Sequence, residues 1–470
     1  MALRIVVSYA YTDMAFTKDL VDALRHHGAD VWYAKHPHDT MELAHTISEE
    51  IRARRVFLAV LSPSALQSHV ARSANQQALS RFRQAPNRIA VGIIVRPLLG
   101  VSPATLRRVH EIPCIGSSEE TLYSEQDLIH RVLCALGLIF TETKDTDAEQ
   151  ELASVLPDAT ADEWLIFGQT CYQQQRIDEA ITALKRATIL MPEHALPWAY
   201  LGLAYANVPN KIEAIYAFSR ARELGFSPAW VWSNEAAMLA DLDRYEEALR
   251  AADAAIALSH SYAHPWLVKG NSLRGLGRYQ EALDAYEQGL VAQPKSPQTA
   301  KLWAGKAATL KSLFRDEEAL LAWDHALAIN PRYTYALYGK AKALRDQHRE
   351  DEALAIYDQL VEADSANIQA WIDKADTLHD IDRYDEALAA SEEALRQNAR
   401  HAEAWNVQGH ALTGLNRYEE ALAAYQQALR LKPNSGAIIF NIGSTLMLLD
   451  RLSEFEEMVK QTIASVSGSQ

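Results

Sequence analysis

The sequence predicts a two-part chain: an α/β domain on a parallel sheet with helices on both faces, then an all-α solenoid of stacked helix pairs. Two observations carry that prediction. Residues 1–138 alternate short apolar runs with amphipathic helical stretches. From residue 164 onward a tryptophan-led column recurs with a step of 34 residues: Trp164, Trp198, Trp232, Trp266, Trp303, Leu337, Trp371, Trp405 and Ile439, with one step of 37 between Trp266 and Trp303. Fixed self-similarity over this distance marks a stacked array, and an array presents a long concave surface suited to holding a partner.

Taking the elements in order, Arg4–Ser8 is an apolar run that ends in a polar turn, and it reads as the first strand. Asp13 is placed to cap the next helix, which carries Phe16, Leu20, Val21 and Leu24 on one face and stops at Gly28. Val31–Tyr33 reads as a second strand and 46–53 as a short helix. Val56–Leu61 is a third strand without a polar residue, so it is buried on both faces. Arg88–Val95 gives a fourth strand, Pro113–Ile115 a fifth, and Leu128–Leu138 a closing helix. In such sheets, sites lie beyond the carboxyl ends of the strands, here around 8–12, 34–44 and 62–68. Residues 139–162 are polar and acidic and read as a linker with a helical end.

Each later unit is two amphipathic helices. The first carries a small residue four positions after the column, as at Gly168, Gly202 and Gly409. The second carries an Ala inside a recurring Arg-Tyr-x-Glu-Ala-Leu run, as at Arg244, Arg278, Arg383 and Arg417. Small residues at these positions let paired helices approach closely. Pro192, Pro294, Pro331 and Pro433 follow helix ends.

Composition narrows the function classes. The chain of 470 residues carries a net charge of −15, unevenly spread. Residues 1–140 hold 15 Lys and Arg against 13 Asp and Glu, and the remainder 31 against 48. An acidic array argues against nucleic acid as the partner. No run reaches the roughly 18 apolar residues of a membrane span, so no membrane role is expected. Met1–Val7 lacks the pattern of a secretory signal, and the three cysteines lack metal-like spacing, which together predict a cytoplasmic protein.

The column, the small residues and the later aromatics Phe218, Tyr286, Trp323, Tyr357 and Tyr425 resemble a tetratricopeptide repeat (TPR) array. The expected array spans 163–470, as eight full repeats and a capping repeat in which Phe455 replaces the expected Ala. The extra residues near Pro294–Pro297 are expected to alter stacking there. In this family the tryptophan column packs between helices and is not a binding stripe. The family's groove positions select Asn271, Arg274, Lys301, Lys311, Tyr335, Tyr338, Lys342 and Arg345, with Asp376, Asp380 and Glu403 further along, so the groove is expected to change sign along its length. Arg and Lys beside Tyr suit an acidic peptide or a terminal carboxylate.

Residues 1–138 resemble a Toll/interleukin-1 receptor (TIR) domain through Ile5–Asp13, Asp30–Tyr33 and Val56–Leu66, which implies a flavodoxin-like fold. The loop after the second strand, with Lys35, His36, Pro37, His38 and Asp39, would be the rim or assembly loop, and it lacks the family's glycine and arginine. His36 and His38, with His45, read as solvated loop histidines and not as a metal site. Active relatives cleave NAD or NADP with a glutamate on the helix after the third strand. Here Ala74 stands at that position, and no Asp or Glu occurs between Glu50 and Glu111. A glycosidic cleavage wants an adjacent carboxylate, so the expectation is no catalytic residue and no bound cofactor, with NAD or NADP as the ligand if the domain were active.

Residues 51–110 hold ten arginines and no acidic residue, an electropositive stretch that would suit the acidic array as its partner. The expected function is a signalling scaffold, in a bacterial stress or defence setting. The array would bind a protein or peptide, and the TIR-like domain would self-associate or dock a partner. The alternatives are an NAD(P)-consuming effector switched on by assembly and an adaptor with a passive TIR-like domain. Opposite charge across a flexible linker further predicts an electrostatic restraint that high salt loosens.

Overall fold

The computed structural model describes residues 3–34, 46, 49–51, 53–62, 65–66, 74, 88–95, 113–116, 124–136, 138, 159–451 and 453–454. The chain divides into two compact units, Met1–Leu276 and Gly277–Gln470.

In the first unit, β1 (Arg4–Ser8), β2 (Asp30–Tyr33), β3 (Val56–Leu61), β4 (Ile89–Ile94) and β5 (Cys114–Gly116) form one parallel sheet in the order β2-β1-β3-β4-β5. The register pairs Ile5 with Val56 and Val56 with Ile89. All six residues of β3 are buried, as a central strand covered on both faces requires. One face carries Ile5, Val7, Leu58, Val60 and Val91. It packs against α1 (Met14–His26) through Phe16, Leu20 and Leu24, and against α2 (Glu125–Ala135) through Leu128 and Val132. Gly28 ends the α1 turn at φ +82°, as expected for a left-handed stop. Asp13 stands at the N-cap of α1, but its side chain makes no capping bond. Its carboxylate instead accepts a 2.6 Å hydrogen bond from Ser62 Oγ, tying the end of β3 to the start of α1.

On the opposite sheet face, the described cover includes the first repeats together with Ile51, Leu66 and Ala74 of the domain itself. Helices α3 (Ala161–Gln173), α4 (Ile177–Leu190), α5 (Ala195–Tyr205), α6 (Lys211–Glu223), α7 (Ala229–Ala240), α8 (Tyr245–Leu258) and α9 (Ala263–Gly275) follow. Val6, Phe57, Ala59, Leu61, Ala74 and Ala90 share one buried cluster with Trp164, Phe167 and Tyr200 of α3 and α5. Alternation along the strands dictates this: the residues between those facing α1 and α2 are equally apolar and need their own cover. Burying a large apolar side chain contributes roughly 1.5–3 kcal/mol, so three aromatics make this the dominant contact.

Polar groups at the junction are satisfied within it. Thr160 caps α3 and exchanges hydrogen bonds with Glu163 as a capping box. Glu163, 1% exposed, also receives Arg131 Nη1 of α2 at 2.8 and 2.9 Å. Asp162 accepts the Cys114 N–H of edge strand β5 at 3.0 Å, and Tyr200 donates to the Arg88 carbonyl at 3.3 Å. The described contact between the sheet and the first repeats is an apolar seal, which salt does not loosen; most of the arginine-rich stretch expected to act as an electrostatic restraint lies outside the described residues. Of the arginine-rich stretch, Arg54 pairs with Glu50 and Asp30, and Arg88 donates to the Ile51 carbonyl. Arg52, Arg72, Arg81, Arg83, Arg96, Arg107 and Arg108 lie outside the described residues, as do Lys35–Asp39, His45 and Phe455.

The second unit contains α10 (Tyr279–Ala292), α11 (Thr299–Ser312), α12 (Asp316–Ile329), α13 (Thr334–Asp346), α14 (Glu350–Ala363), α15 (Ile368–Asp380), α16 (Tyr384–Gln397), α17 (Ala402–Gly414), α18 (Tyr418–Leu431) and α19 (Gly436–Leu448). The Arg-led runs start the second helix of each pair. Arg278 pairs with Glu281, Arg315 with Glu318, Arg349 with Glu352, Arg383 with Glu386 and Arg417 with Glu420, each bidentate. These exposed pairs contribute little energy, but they fix where each helix begins. The residue before each arginine is left-handed: Gly277 at φ +74°, but Phe314 at φ 58°. Tryptophan indoles close the loops, with Trp371 donating to Ser365 at 3.1 Å and Trp405 to Ala399 at 2.8 Å. The column is thus structural. The extra residues at 294–297 are taken up in a loop held by Thr299 Oγ1 on the Pro294 carbonyl at 3.2 Å.

Two outcomes are expected. Arg131→Ala leaves Glu163 buried without its cation and should cost about 3–5 kcal/mol in denaturant unfolding, while the double variant Arg131→Met with Glu163→Gln should lose much less. Gly305→Ala places a Cβ 2.6 Å from the Tyr286 ring, and calorimetry should show a loss of about 1–3 kcal/mol from overpacking.

Candidate functional site

First helices of successive repeats line the groove of the second unit. Within it α13, α14, α15 and α17 surround a pocket of about 700 Å³. Three of the expected groove residues meet there: Tyr338, Lys342 and Arg345 of α13. Asp376, Asp380 and Glu403, expected further along, line the same pocket.

The basic and acidic stretches, expected one after the other along the groove, meet in this one pocket. Asp346, Glu350, Asp373, Asp376, Asp380 and Glu403 outnumber the permanent cations Lys342 and Arg345. Arg345 is already engaged, with Nη2 at 2.5 Å from Asp376 and 3.1 Å from Asp380. The reason is spacing: residues five and nine after the column in one repeat face the residue eight after it in the preceding repeat. Arg345 is half-buried, yet its carboxylate partners raise its pKa further. Burial works against ionisation of Asp376, but His410 and Arg345 outweigh it and hold the carboxyl at about 2. His410 Nδ1 lies 3.8 Å from Asp376, beyond a close hydrogen bond, so the larger hold belongs to Arg345. On its other side His410 Nε2 meets Asn441 Nδ2 at 3.0 Å.

The remaining expected residues are elsewhere. Lys311 is bound to Asp316 at 3.0 Å and Asp346 at 3.2 Å. Lys301 is exposed on α11 and does not line the pocket. Tyr335 is exposed, sets its ring against Trp323 at 5.7 Å and does not line the pocket. Asn271 and Arg274 lie on α9 of the first unit. Most other lysines of the second unit's first helices are structural, pairing with the preceding helix: Lys306 with Glu287, Lys340 with Asp324 and Lys374 with Asp358.

Sequence reasoning missed Asp373 and Tyr357. Asp373 lies two positions after the column, where other repeats carry Gly305 and Gly339 beneath an aromatic ring. A carboxylate replacing a glycine there was a legible signal. Tyr357 belongs to the aromatic column of the second helices and is fully buried, yet it reaches the pocket wall. Burial, then a hydrogen bond to Asp373, raises the Tyr338 phenol pKa; burial, then the Asp373 charge, does so for Tyr357.

In the first unit, Ala74 is 2% exposed within the apolar cluster of the sheet face. The residue at the position that the resemblance gives to the glutamate is thus an uncharged, buried one. Burial pushes the Cys114 and Cys134 thiols up to about 12, which keeps them protonated and poor nucleophiles. Among the described residues no group of three metal-ligating side chains occurs, and no helix is long and apolar enough to cross a membrane.

A parallel α/β domain sealed onto stacked helix pairs with a lined groove defines a repeat protein of the interaction class. The tetratricopeptide repeat family matches residues 167–228, 235–297, 317–368 and 372–436, just over half of the chain, and the TIR domain family matches 5–125. The chain belongs to the tetratricopeptide repeat family and carries an N-terminal TIR domain. No curated protein matches it. Among solved structures it is similar to YrrB, described as a TPR protein with an unusual peptide-binding site, at 20% identity and TM-score 0.36 over 40% of this chain and 96% of that one. It is similar to MamA from Desulfovibrio magneticus RS-1 at 20% identity and TM-score 0.34, over 36% and 97%. A tetratricopeptide repeat protein from Parabacteroides merdae is similar at 15% identity and TM-score 0.39, over 54% and 98%.

The pH response of the Asp376 site follows from its direction. Its native pKa lies below the unfolded one, so its contribution to stability is complete above the ordinary aspartate range and is lost as pH falls through about 2. Asp376→Asn should cost about 1 kcal/mol or less. Thermal unfolding should show that difference unchanged from about pH 7 to 5 and shrinking below about pH 4.

Proposed function

We propose that this protein is a signalling scaffold whose repeat array holds a protein or peptide in the groove around Tyr338 and Lys342. The TIR domain supplies self-association or partner docking, and a cytoplasmic stress or defence pathway in a bacterium is the setting that this combination suits. The observation that carries the reading is the pocket itself: side chains from three consecutive repeats converge on one concave, polar site. The pocket's carboxylates turn the preferred ligand from an acidic peptide to one with basic or mixed charge.

An enzyme reading, cleavage of NAD or NADP after assembly, is disfavoured by Ala74 and its apolar surroundings. Two measurements test the proposal. A photo-crosslinking residue in place of Tyr338 should capture a polypeptide, and the same residue at exposed Val291 should not; equal capture at both would remove the groove as the site. Chromatography of NAD and NADP incubated with concentrated protein should show no nicotinamide above background. Release that disappears when Lys35–Asp39 is replaced would make the protein an enzyme.

A further inference from the structure

We infer that the pocket of α13, α14, α15 and α17 is a receptor for one cationic side chain, guanidinium or ammonium, of the peptide held in the groove. The inference rests on the groove reading above and adds the chemistry of one subsite. Charge is the first ground. Arg345 is consumed by Asp376 and Asp380, and Asp346 is shared with Lys311. Asp373 accepts from Gln369 at 2.9 Å and from Tyr338, but no ion pair neutralises it or Glu403 among the described residues. Uncompensated carboxylates therefore remain on α15 and α17.

The second ground is independent of charge. Tyr357 is fully buried in the pocket wall, and its hydroxyl has no hydrogen-bond partner among the described residues. The groups that act on it are those of the pocket: Asp373, Arg345, Tyr338 and Asp346. Buried polar groups are ordinarily bonded, and an orphan hydroxyl in a pocket wall marks a missing partner. Arg345 and Lys342 offer no bond to it. An incoming N–H donor can bond the phenol oxygen and the Asp373 carboxylate together, which an anionic ligand cannot do. A planar guanidinium makes both contacts at once; an ammonium makes them as a point charge. A metal ion is a poor alternative, because no group of three ligating side chains occurs among the described residues.

The test uses the full chain and four fluorescein-labelled alanine–serine heptapeptides that differ only in a central Arg, Lys, Glu or Ala. Anisotropy titration at low salt should show the Arg and Lys peptides binding at least about tenfold more tightly than the Ala peptide, with Glu weakest. Glu403→Gln, at an exposed position, and Asp373→Asn should each weaken the Arg peptide by about tenfold, at an unchanged unfolding midpoint for Glu403→Gln. Tyr357→Phe should weaken it about threefold or more and leave the Ala peptide unchanged. A preference for Glu, no preference at all, or a preference that survives Glu403→Gln and Asp373→Asn would overturn the subsite and leave the groove reading in place. Absence of binding by all four peptides would also overturn the subsite, and the crosslink at Tyr338 then decides the groove separately.

Discussion

A parallel sheet must be covered on both faces, and here part of the second cover comes from another structural class. Val6, Phe57, Ala59 and Leu61 project from the strands with nothing in α1 or α2 to meet them. They lie in one buried cluster with Ile51, Leu66 and Ala74 of the same domain and with Trp164, Phe167 and Tyr200 of the first repeats. The TIR domain and the start of the array thus share one core. Removing either part exposes the apolar surface of the other, so these are not beads on a string.

The buried Arg131–Glu163 pair adds direction to that seal. An apolar contact alone tolerates sliding, whereas a buried charge pair is satisfied at one geometry. Glu163 serves three groups at once: the Thr160 backbone, the Thr160 hydroxyl and Arg131. The first helix of the array is therefore started and docked by the same carboxylate. Cys114 and Asp162 do the same for the sheet edge, giving the outer strand's N–H a partner.

Within the second unit, regular charge pairs remove most charges from consideration as ligands. The Arg-led pairs and the lysines that reach back to the preceding helix neutralise side chains that a composition count leaves open. What survives is local. Asp373, standing where other repeats have glycine, and Glu403 give one stretch of the groove its character. The function rests on such departures from the repeat more than on the repeat.

The sequence by itself determined the classes of both parts and the strand and helix order, and its resemblance to the repeat family implied the structural role of the tryptophans. Those features rest on periodicity and composition, which are local. It also placed Tyr338, Lys342 and Arg345 in the groove, because repeat position fixes which face a residue occupies. It set the groove's basic and acidic stretches one after the other where the fold brings them into one pocket, and it placed Asp13 as a cap where the fold gives it Ser62 as a partner. It did not show the apolar seal between the sheet and the first repeats. Each of these depends on which residues from distant positions meet: Arg345 with Asp376, Asp13 with Ser62, Phe57 with the first repeats. Net charge and spacing carry no information about pairing, and only the tertiary structure decides which charges neutralise one another and which remain.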